Sequence, residues 1–142
     1  MLSIEKILGY NFNDKVLLKK ALTHRSYANE KKTDDNEVLE FLGDSVLSLT
    51  ISKVLIENNP SMSEGQLTKD RHELVCQAGL AKIAKSVNLG NHILLGKGEA
   101  KNGGGQRDSI LADTLEAIVG AIFTDSNFET SLKIIRVLFK LS

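Results

Sequence analysis

The sequence of 142 residues has one cysteine, one proline and no net charge, and it lacks any long apolar run. Cys76 has no second cysteine to pair with, so an internal disulfide and a multi-cysteine zinc site are excluded and a reducing compartment is expected. The longest apolar run, residues 117–123, falls far short of the roughly 20 residues that span a bilayer. Because 18 basic residues balance 18 acidic ones, a polyanionic partner must meet a local basic surface. We expect a soluble, cytoplasmic protein with no membrane association.

Helical periodicity is what the chain has in abundance. Apolar residues recur at spacings of three and four, as in Leu132, Ile135 and Leu138, and strand-like alternation is nearly absent. The pattern predicts an all-α fold in one domain, residues 1–142, with helices near 3–8, 14–28, 35–58, 63–75, 77–87, 109–125 and 128–141. The long irregular segment that remains, residues 96–108, contains three consecutive glycines, Gly103 to Gly105. Such a loop is either functional or a flexible connector.

Three acidic residues share one face of the helix predicted near 35–58. Glu37, Glu40 and Asp44 stand at positions i, i+3 and i+7, which point the same way on a helix. The opposite face carries four apolar residues that we expect in the core: Leu39, Leu42, Val46 and Leu49. From the spacing alone, a solvated acidic face near the helix N-terminus, where the helix dipole favours negative charge, remains the simpler explanation.

A second acid pair changes this balance. Asp113 and Glu116 are three residues apart in one of the most apolar segments, where a carboxylate costs free energy unless it is paired or bound to metal. If the two helices pack side by side, with small residues such as Gly43 and Gly120 between them, Glu40 and Asp44 converge with this pair. Oxygen ligands without histidine or cysteine are typical of Mg²⁺ or Mn²⁺.

Other carboxylate and hydrolase chemistries lack their signatures. No histidine stands three residues after a glutamate, which is the Glu-x-x-His spacing of di-iron bundles. No histidine is followed directly by an aspartate, the pair that an all-helical His-Asp phosphohydrolase needs. Serine-hydrolase and P-loop motifs are also missing. The remaining hypothesis is Mg²⁺ chemistry held by carboxylates, for which phosphate esters are the common substrates.

The run NEVLEFLGDSVL at residues 36–47 closely resembles the signature of the ribonuclease III endonuclease domain. Four further motifs follow the family's order: ALTHRSY at 21–27, SEGQLTK at 63–69, GKGE at 96–99 with the glycines at 103–104, and SILADTLEA at 109–117. The resemblance implies the family's compact, dimeric multi-helix fold. It also implies Mg²⁺-dependent hydrolysis of both strands of double-stranded RNA, with Mn²⁺ as a substitute. The products would carry 5′-phosphate and 3′-hydroxyl ends with a short 3′ overhang, as in the processing of rRNA precursors and structured mRNA.

The resemblance also assigns roles to individual residues. The metal-binding and catalytic set is implied to be Glu40, Asp44, Asp113 and Glu116, with Asp44 and Glu116 as the first choices for essential ligands. Glu37 and Glu64 are implied to be accessory acids beside the scissile RNA. Phe41 is implied to insert into the partner subunit of a homodimer with two composite active sites, whereas periodicity alone places Phe41 in the core. Val38 departs from the family pattern, in which many relatives carry arginine.

Double-stranded RNA is recognised mainly by shape, through its phosphates and 2′-hydroxyls. The candidate contacts are His24, Arg25, Lys69, Arg71, Lys97, Lys101 and Arg107, with Gly103, Gly104 and Gly105 letting the backbone approach the RNA. For each lysine or arginine taken singly, a solvated surface charge is the alternative. The remaining histidines, His72 and His92, and Cys76 receive no role.

Two other functions remain open: a double-stranded RNA-binding regulator that does not cut, and a subunit that pairs with a different chain. The four acids argue against the regulator, because a pure RNA binder gains nothing from carboxylates that face phosphates. Many bacterial relatives continue into a C-terminal double-stranded RNA-binding domain. This chain ends at Ser142, so it is either a truncated form of a longer protein or a natural minimal form, and the wording of its signature favours truncation.

Overall fold

Helices build the fold, as the apolar periodicity predicts. A computed structural model of the chain describes residues 3–142. Within this range the chain forms two 3₁₀ helices, Leu89–His92 and Gly104–Gln106, and no strand beyond an isolated bridge between Thr23 and Leu94. The α-helices are α1 (Ile4–Leu8), α2 (Lys15–Ala21), α3 (Arg25–Lys31), α4 (Glu37–Asn58), α5 (Glu64–Val75), α6 (Gln77–Ser86), α7 (Lys97–Lys101), α8 (Asp108–Asp125) and α9 (Phe128–Leu138).

The two longest helices, α4 and α8, pack against each other more extensively than any other pair of elements. At their crossing a Cβ on Gly43 would overlap the carbonyl oxygen of Glu116, and a Cβ on Gly120 would overlap the carbonyl oxygen of Leu39. Since neither glycine carries a side chain, the two backbones approach each other directly. The predicted close approach of the two acidic helices is therefore confirmed at both glycines.

The single helix predicted over residues 14–28 is wrong, because the structure divides it into α2 and α3. The break lies where the backbone of residues 22–24 pairs with a distant segment: the Leu94 N–H donates to the Leu22 carbonyl at 2.8 Å, and the His24 N–H donates to the Leu94 carbonyl at 3.0 Å. His24 itself has extended backbone angles and caps α3. This pairing between distant segments overrides a local sequence that favours helix.

The glycine-rich segment is also more ordered than expected. Residues 96–108, predicted as irregular, contain α7 and the second 3₁₀ helix. The N-terminus of α7 is capped from α3, since the Glu30 carboxylate accepts the Lys97 N–H at 2.9 Å. The segment is thus held by contacts with other parts of the chain.

One face of α4 stays open to solvent and is apolar. The exposed fractions are 72% for Val38, 79% for Phe41, 59% for Leu49 and 56% for Ile56. The core position that periodicity assigns to Phe41 is wrong, and so is the one assigned to Leu49, because both residues lie on this outer face. Leu39 and Val46 are buried as predicted. We call the four exposed residues Val38, Phe41, Leu49 and Ile56 the α4 apolar stripe.

None of the helices in the described part of the chain combines the length and apolar composition that crossing a membrane would require.

Candidate active site

The crossing of α4 and α8 brings acidic side chains from both helices together. Carboxylate oxygens of Glu40, Asp113 and Glu116 all lie within 4.8 Å of one another. Glu40 and Asp44 stand on either side of Gly43, whose close contact with the Glu116 backbone sets the two helices in register. Two of the three acids predicted to share a face of α4, Glu40 and Asp44, therefore lie at the crossing, where each meets an acid of α8.

The four acids form two carboxyl pairs, each with one member from α4 and one from α8. The Glu40 carboxyl faces that of Asp113, and the Asp44 carboxyl faces that of Glu116, close enough for each pair to share a proton. Asp44 lies at the edge of the cluster, outside the group of three whose oxygens are mutually close. Since two facing carboxylates cannot both be ionised without strong repulsion, each pair holds a proton more tightly than an isolated acid.

Burial and neighbouring negative charge raise the pKa values in this cluster. Partial burial, together with the hydrogen bond and charge of Asp44, raises the pKa of Glu116 to about 8. Burial and the charge of Asp113 raise the pKa of Glu40 to about 7. Burial also raises the pKa of Asp113. A cation among these oxygens would reverse all three shifts, and an all-oxygen donor set fits Mg²⁺ or Mn²⁺.

An open cleft gives access to the cluster. The four acids line it together with Glu37 and Phe41, and we call it the acid cleft. Glu37 is exposed at the start of α4, beside the cluster, and its accessory role stays a prediction. Glu64 does not join the acid cleft of the same chain, because it lies at the start of α5 and lines a separate groove between α4 and α5.

A second cavity, of about 270 Å³, adjoins the acid cleft and shares Glu37, Glu40 and Asp113 with it. We call it the side cavity. Three of the predicted RNA contacts line it: His24, Arg25 and Arg107. Burial lowers the pKa of His24, which favours the neutral form of the ring. Arg107 lies 3.6 Å from the Glu99 carboxylate in a half-exposed ion pair, which leaves much of its guanidinium open to solvent.

The other predicted RNA contacts lie apart from this pair of cavities. Lys69 and Lys97 are exposed, on α5 and at the start of α7. Gly103 is exposed with a φ of 79°, a conformation that favours glycine. Gly104 is buried, and a Cβ there would be crowded by Glu99. The structure thus gives this glycine a packing role, and the approach of its backbone to RNA stays a prediction.

The sequence model of the family described as Ribonuclease-III-like matches residues 14–141. The chain belongs to this family.

Similar proteins support the membership. Ribonuclease 3 of Caldanaerobacter subterraneus subsp. tengcongensis is 48% identical over 139 residues, which cover 96% of this chain and 61% of the relative. Ribonuclease 3 of Natranaerobius thermophilus is 48% identical over 142 residues, which cover 99% of this chain and 61% of the relative. The chain thus spans about three-fifths of the length of the curated relatives it matches.

Solved structures share the ribonuclease-III-like fold. The nuclease domain of ribonuclease III from Campylobacter jejuni, in a structure described as flexible in a region involved in dimer formation, superimposes with a TM-score of 0.90 at 46% identity. That match covers 96% of this chain and 93% of the other. Dicer from Pichia stipitis matches with a TM-score of 0.61 at 26% identity, over 90% of this chain and 52% of the other.

Two residues of the ribonuclease-III-like motifs have structural roles that sequence reasoning missed. The buried Asn36 amide donates to the Ala21 carbonyl at 3.0 Å and ties the end of α2 to the start of α4. The Ser26 hydroxyl lies 2.7 Å from Nδ1 of His24. The sequence signals these residues only by placing them inside the motifs at 36–47 and 21–27. Both contacts depend on the tertiary fold and could not be predicted from local sequence.

Proposed function

We propose that this chain is the nuclease domain of a Mg²⁺-dependent endoribonuclease that hydrolyses phosphodiester bonds in both strands of double-stranded RNA. The products would carry 5′-phosphate and 3′-hydroxyl ends with a short 3′ overhang. The observation that carries the proposal is the meeting of two carboxyls from α4 with two from α8 in an open cleft, where burial and the facing acids raise the pKa values of Glu40 and Glu116. The 48% identity to relatives named Ribonuclease 3 supports it.

In this proposal Glu40, Asp44, Asp113 and Glu116 hold the metal, and Mn²⁺ substitutes for Mg²⁺. When bound, Mg²⁺ supplies the positive charge that activates water and stabilises the negative charge of the transition state. The protein's part is to hold four carboxylates at one position on two rigid helices, packed through Gly43 and Gly120. Glu37, at the rim of the acid cleft, is the accessory acid within the same chain.

The RNA would lie across the acid cleft and the side cavity. The rims offer cationic groups for phosphates, Arg25 and Arg107, next to the carboxylates that would hold the metal. Since the whole chain carries no net charge, we expect weak binding that decreases steeply with salt. Precursors of rRNA and structured mRNA are the substrates that the family resemblance favours. A cytoplasmic location remains a prediction.

We further propose a homodimer formed through the α4 apolar stripe. An exposed apolar surface of this kind usually marks an interaction site, and Phe41 is both its most exposed member and part of the acid cleft wall. The groove that contains Glu64 also contains Ile56 of the stripe. In such a dimer Glu64 could serve as an accessory acid only for the cleft of the other subunit, which makes both active sites composite.

Cleavage of a long, perfectly paired RNA at low salt tests the proposal. We expect cutting to short duplexes in Mg²⁺ and binding without cutting in Ca²⁺. Glu116→Ala should lose more than about 100-fold in rate, since even outer-shell partners of metal ligands cost about 10–100-fold. Glu129→Ala, an exposed acid on α9, is the matched control and should cut normally. Unimpaired cutting by Glu116→Ala would overturn the site, and binding without cutting in Mg²⁺ would favour a regulator.

A further inference from the structure

His24 performs two tasks that draw on the two nitrogens of its ring. It is the N-cap of α3, and its Nδ1 accepts the backbone N–H of Ser26 at 3.1 Å. The ring also lines the side cavity next to Asp113. Its backbone is fixed as well, because its N–H donates to the Leu94 carbonyl. The ring is therefore held at its backbone and at Nδ1.

The hydrogen bonds around Ser26 decide which ring nitrogen carries the proton. A backbone N–H that points at Nδ1 excludes a hydrogen on that nitrogen, since two donors cannot face each other. The Ser26 Oγ accepts the Gly96 N–H at 2.9 Å, which leaves its own hydrogen free to donate to Nδ1 at 2.7 Å. The backbone contact requires the neutral tautomer with the proton on Nε2, and in that tautomer the Ser26 hydroxyl is the donor in the second contact.

The Nε2–H group has no partner among the side-chain hydrogen bonds of residues 3–142, although it belongs to a ring on the wall of the side cavity. Arg25 and Arg107 line the same cavity and supply positive charge. A neutral donor has an advantage beside the acid cluster. A cationic side chain at this position would form ion pairs with the carboxylates and compete with a metal ion for them.

We propose that Ser26 is a positioning residue that fixes His24 as the Nε2–H tautomer, so that this group donates to a non-bridging phosphate oxygen of the RNA strand beside the acid cluster. The proposal rests on the proposed function and adds to it the donor atom and the residue that sets it. Gly96 is the third member of the arrangement, because its N–H orients the Ser26 hydroxyl.

Two substitutions at position 24 separate the RNA contact from the capping role. In His24→Asn the side-chain oxygen replaces Nδ1 as the cap of α3, for which asparagine is well suited, but no donor reaches the Nε2 position. In His24→Gln the amide NH₂ reaches the Nε2 position while the cap is weakened. We expect His24→Asn to lose at least about tenfold in cleavage rate, as for a hydrogen bond to a charged group, and His24→Gln to lose less. The reverse order would mean that His24 acts only as a cap and would overturn the proposal.

Ser26 has its own pair of variants. Ser26→Ala removes the hydroxyl and should reduce cleavage several-fold, whereas Ser26→Thr keeps the hydroxyl and should restore it. Full activity of Ser26→Ala would overturn the positioning role. His72→Asn, at an exposed position on α5, is the control for substituting a histidine and should cut like the wild type.

A measurement that does not depend on cutting separates this inference from the proposed function. In protein with ¹⁵N-labelled histidine, NMR should show His24 protonated at Nε2 and not at Nδ1, and a short RNA duplex added with Ca²⁺ should shift the Nε2 signal. Wild-type protein that fails to cut in Mg²⁺ would contradict the proposed function, while the NMR result still decides the inference. A proton on Nδ1, or an Nε2 signal unchanged by saturating RNA, would overturn it.

Discussion

Glu116 and Glu40 hold protons that a metal ion must displace. Their pKa values, raised to about 8 and about 7 by burial and by the facing carboxylates, mean that at neutral pH the metal-free cluster is partly protonated. Proton and metal compete for the same oxygens, so the affinity for Mg²⁺ should rise with pH and be lost as the pH falls through this range.

We therefore expect Mg²⁺ affinity to increase by at least about tenfold from pH 6 to pH 8, with release of protons on binding. Isothermal titration calorimetry in buffers of different ionisation enthalpy measures both quantities. Glu129→Gln should leave the pH dependence unchanged, since this exposed acid lies on α9. Binding that is independent of pH and releases no proton would contradict the raised pKa values.

The packing of α4 against α8 that positions these acids depends on the absence of a side chain at Gly43. A Cβ at this position would overlap the backbone carbonyl of Glu116, which cannot move without shifting α8. Gly43→Ala should therefore destabilise the protein by about 1–3 kcal/mol, the usual cost of overpacking a core. Gly65→Ala is the matched control, because Gly65 is also helical but has open space around its Cβ position, and it should stabilise by about 0.5–1 kcal/mol. Urea unfolding measures both. Equal stability of the two variants would mean that α4 and α8 tolerate separation.

At the scale of elements, α4 and α8 could be predicted from the sequence because helical spacing alone determines which residues share a face. Glu40 and Asp44 on one helix and Asp113 and Glu116 on the other needed only the further assumption that the helices touch, for which Gly43 and Gly120 were local signals. The same rule wrongly placed Phe41 and Leu49 in the core. Spacing identifies an apolar face without indicating whether the same chain covers it.

Contacts between distant segments of the chain could not be predicted from the sequence. The break between α2 and α3 comes from the pairing of Thr23 with Leu94, and α7 is capped by Glu30, 67 residues away. No local pattern carries these contacts. The same limit applies to Gly104, which packs against Glu99 through a contact that its local sequence does not indicate.

The cap of α7 offers a prediction about this segment. Glu30→Ala removes the acceptor of the Lys97 N–H and should cost about 1 kcal/mol, the usual value of an N-cap. Hydrogen exchange should accelerate in residues 97–106 and remain unchanged in α8. Asn29→Ala, the exposed neighbour on α3, is the control. Unaltered exchange in Glu30→Ala would indicate that other contacts order the glycine-rich segment.

At the scale of the whole molecule, the proposed homodimer depends on the α4 apolar stripe. In an interface with twofold symmetry each substitution acts twice, once in each subunit. Burying a phenylalanine side chain contributes about 1.5–3 kcal/mol, so the loss of Phe41 from both subunits should weaken a dimer by about 3–6 kcal/mol. The fold of each subunit should not change, because Phe41 is 79% exposed in the single chain.

Phe41→Ala should therefore shift the protein from dimer to monomer at micromolar concentration, as measured by sedimentation equilibrium. Any fall in its unfolding midpoint should equal the fall expected from the lost association alone. Val137→Ala is the matched control, since Val137 is 70% exposed on α9, away from the stripe, and should leave the dimer intact.

Wild-type protein that sediments as a monomer at every concentration would contradict the dimer. Wild-type dimers that Phe41→Ala leaves unchanged would move the interface off α4. If monomeric Phe41→Ala also loses cleavage while Val137→Ala cuts normally, cleavage depends on Phe41, either through the second subunit that it recruits or through the wall of the acid cleft that it forms.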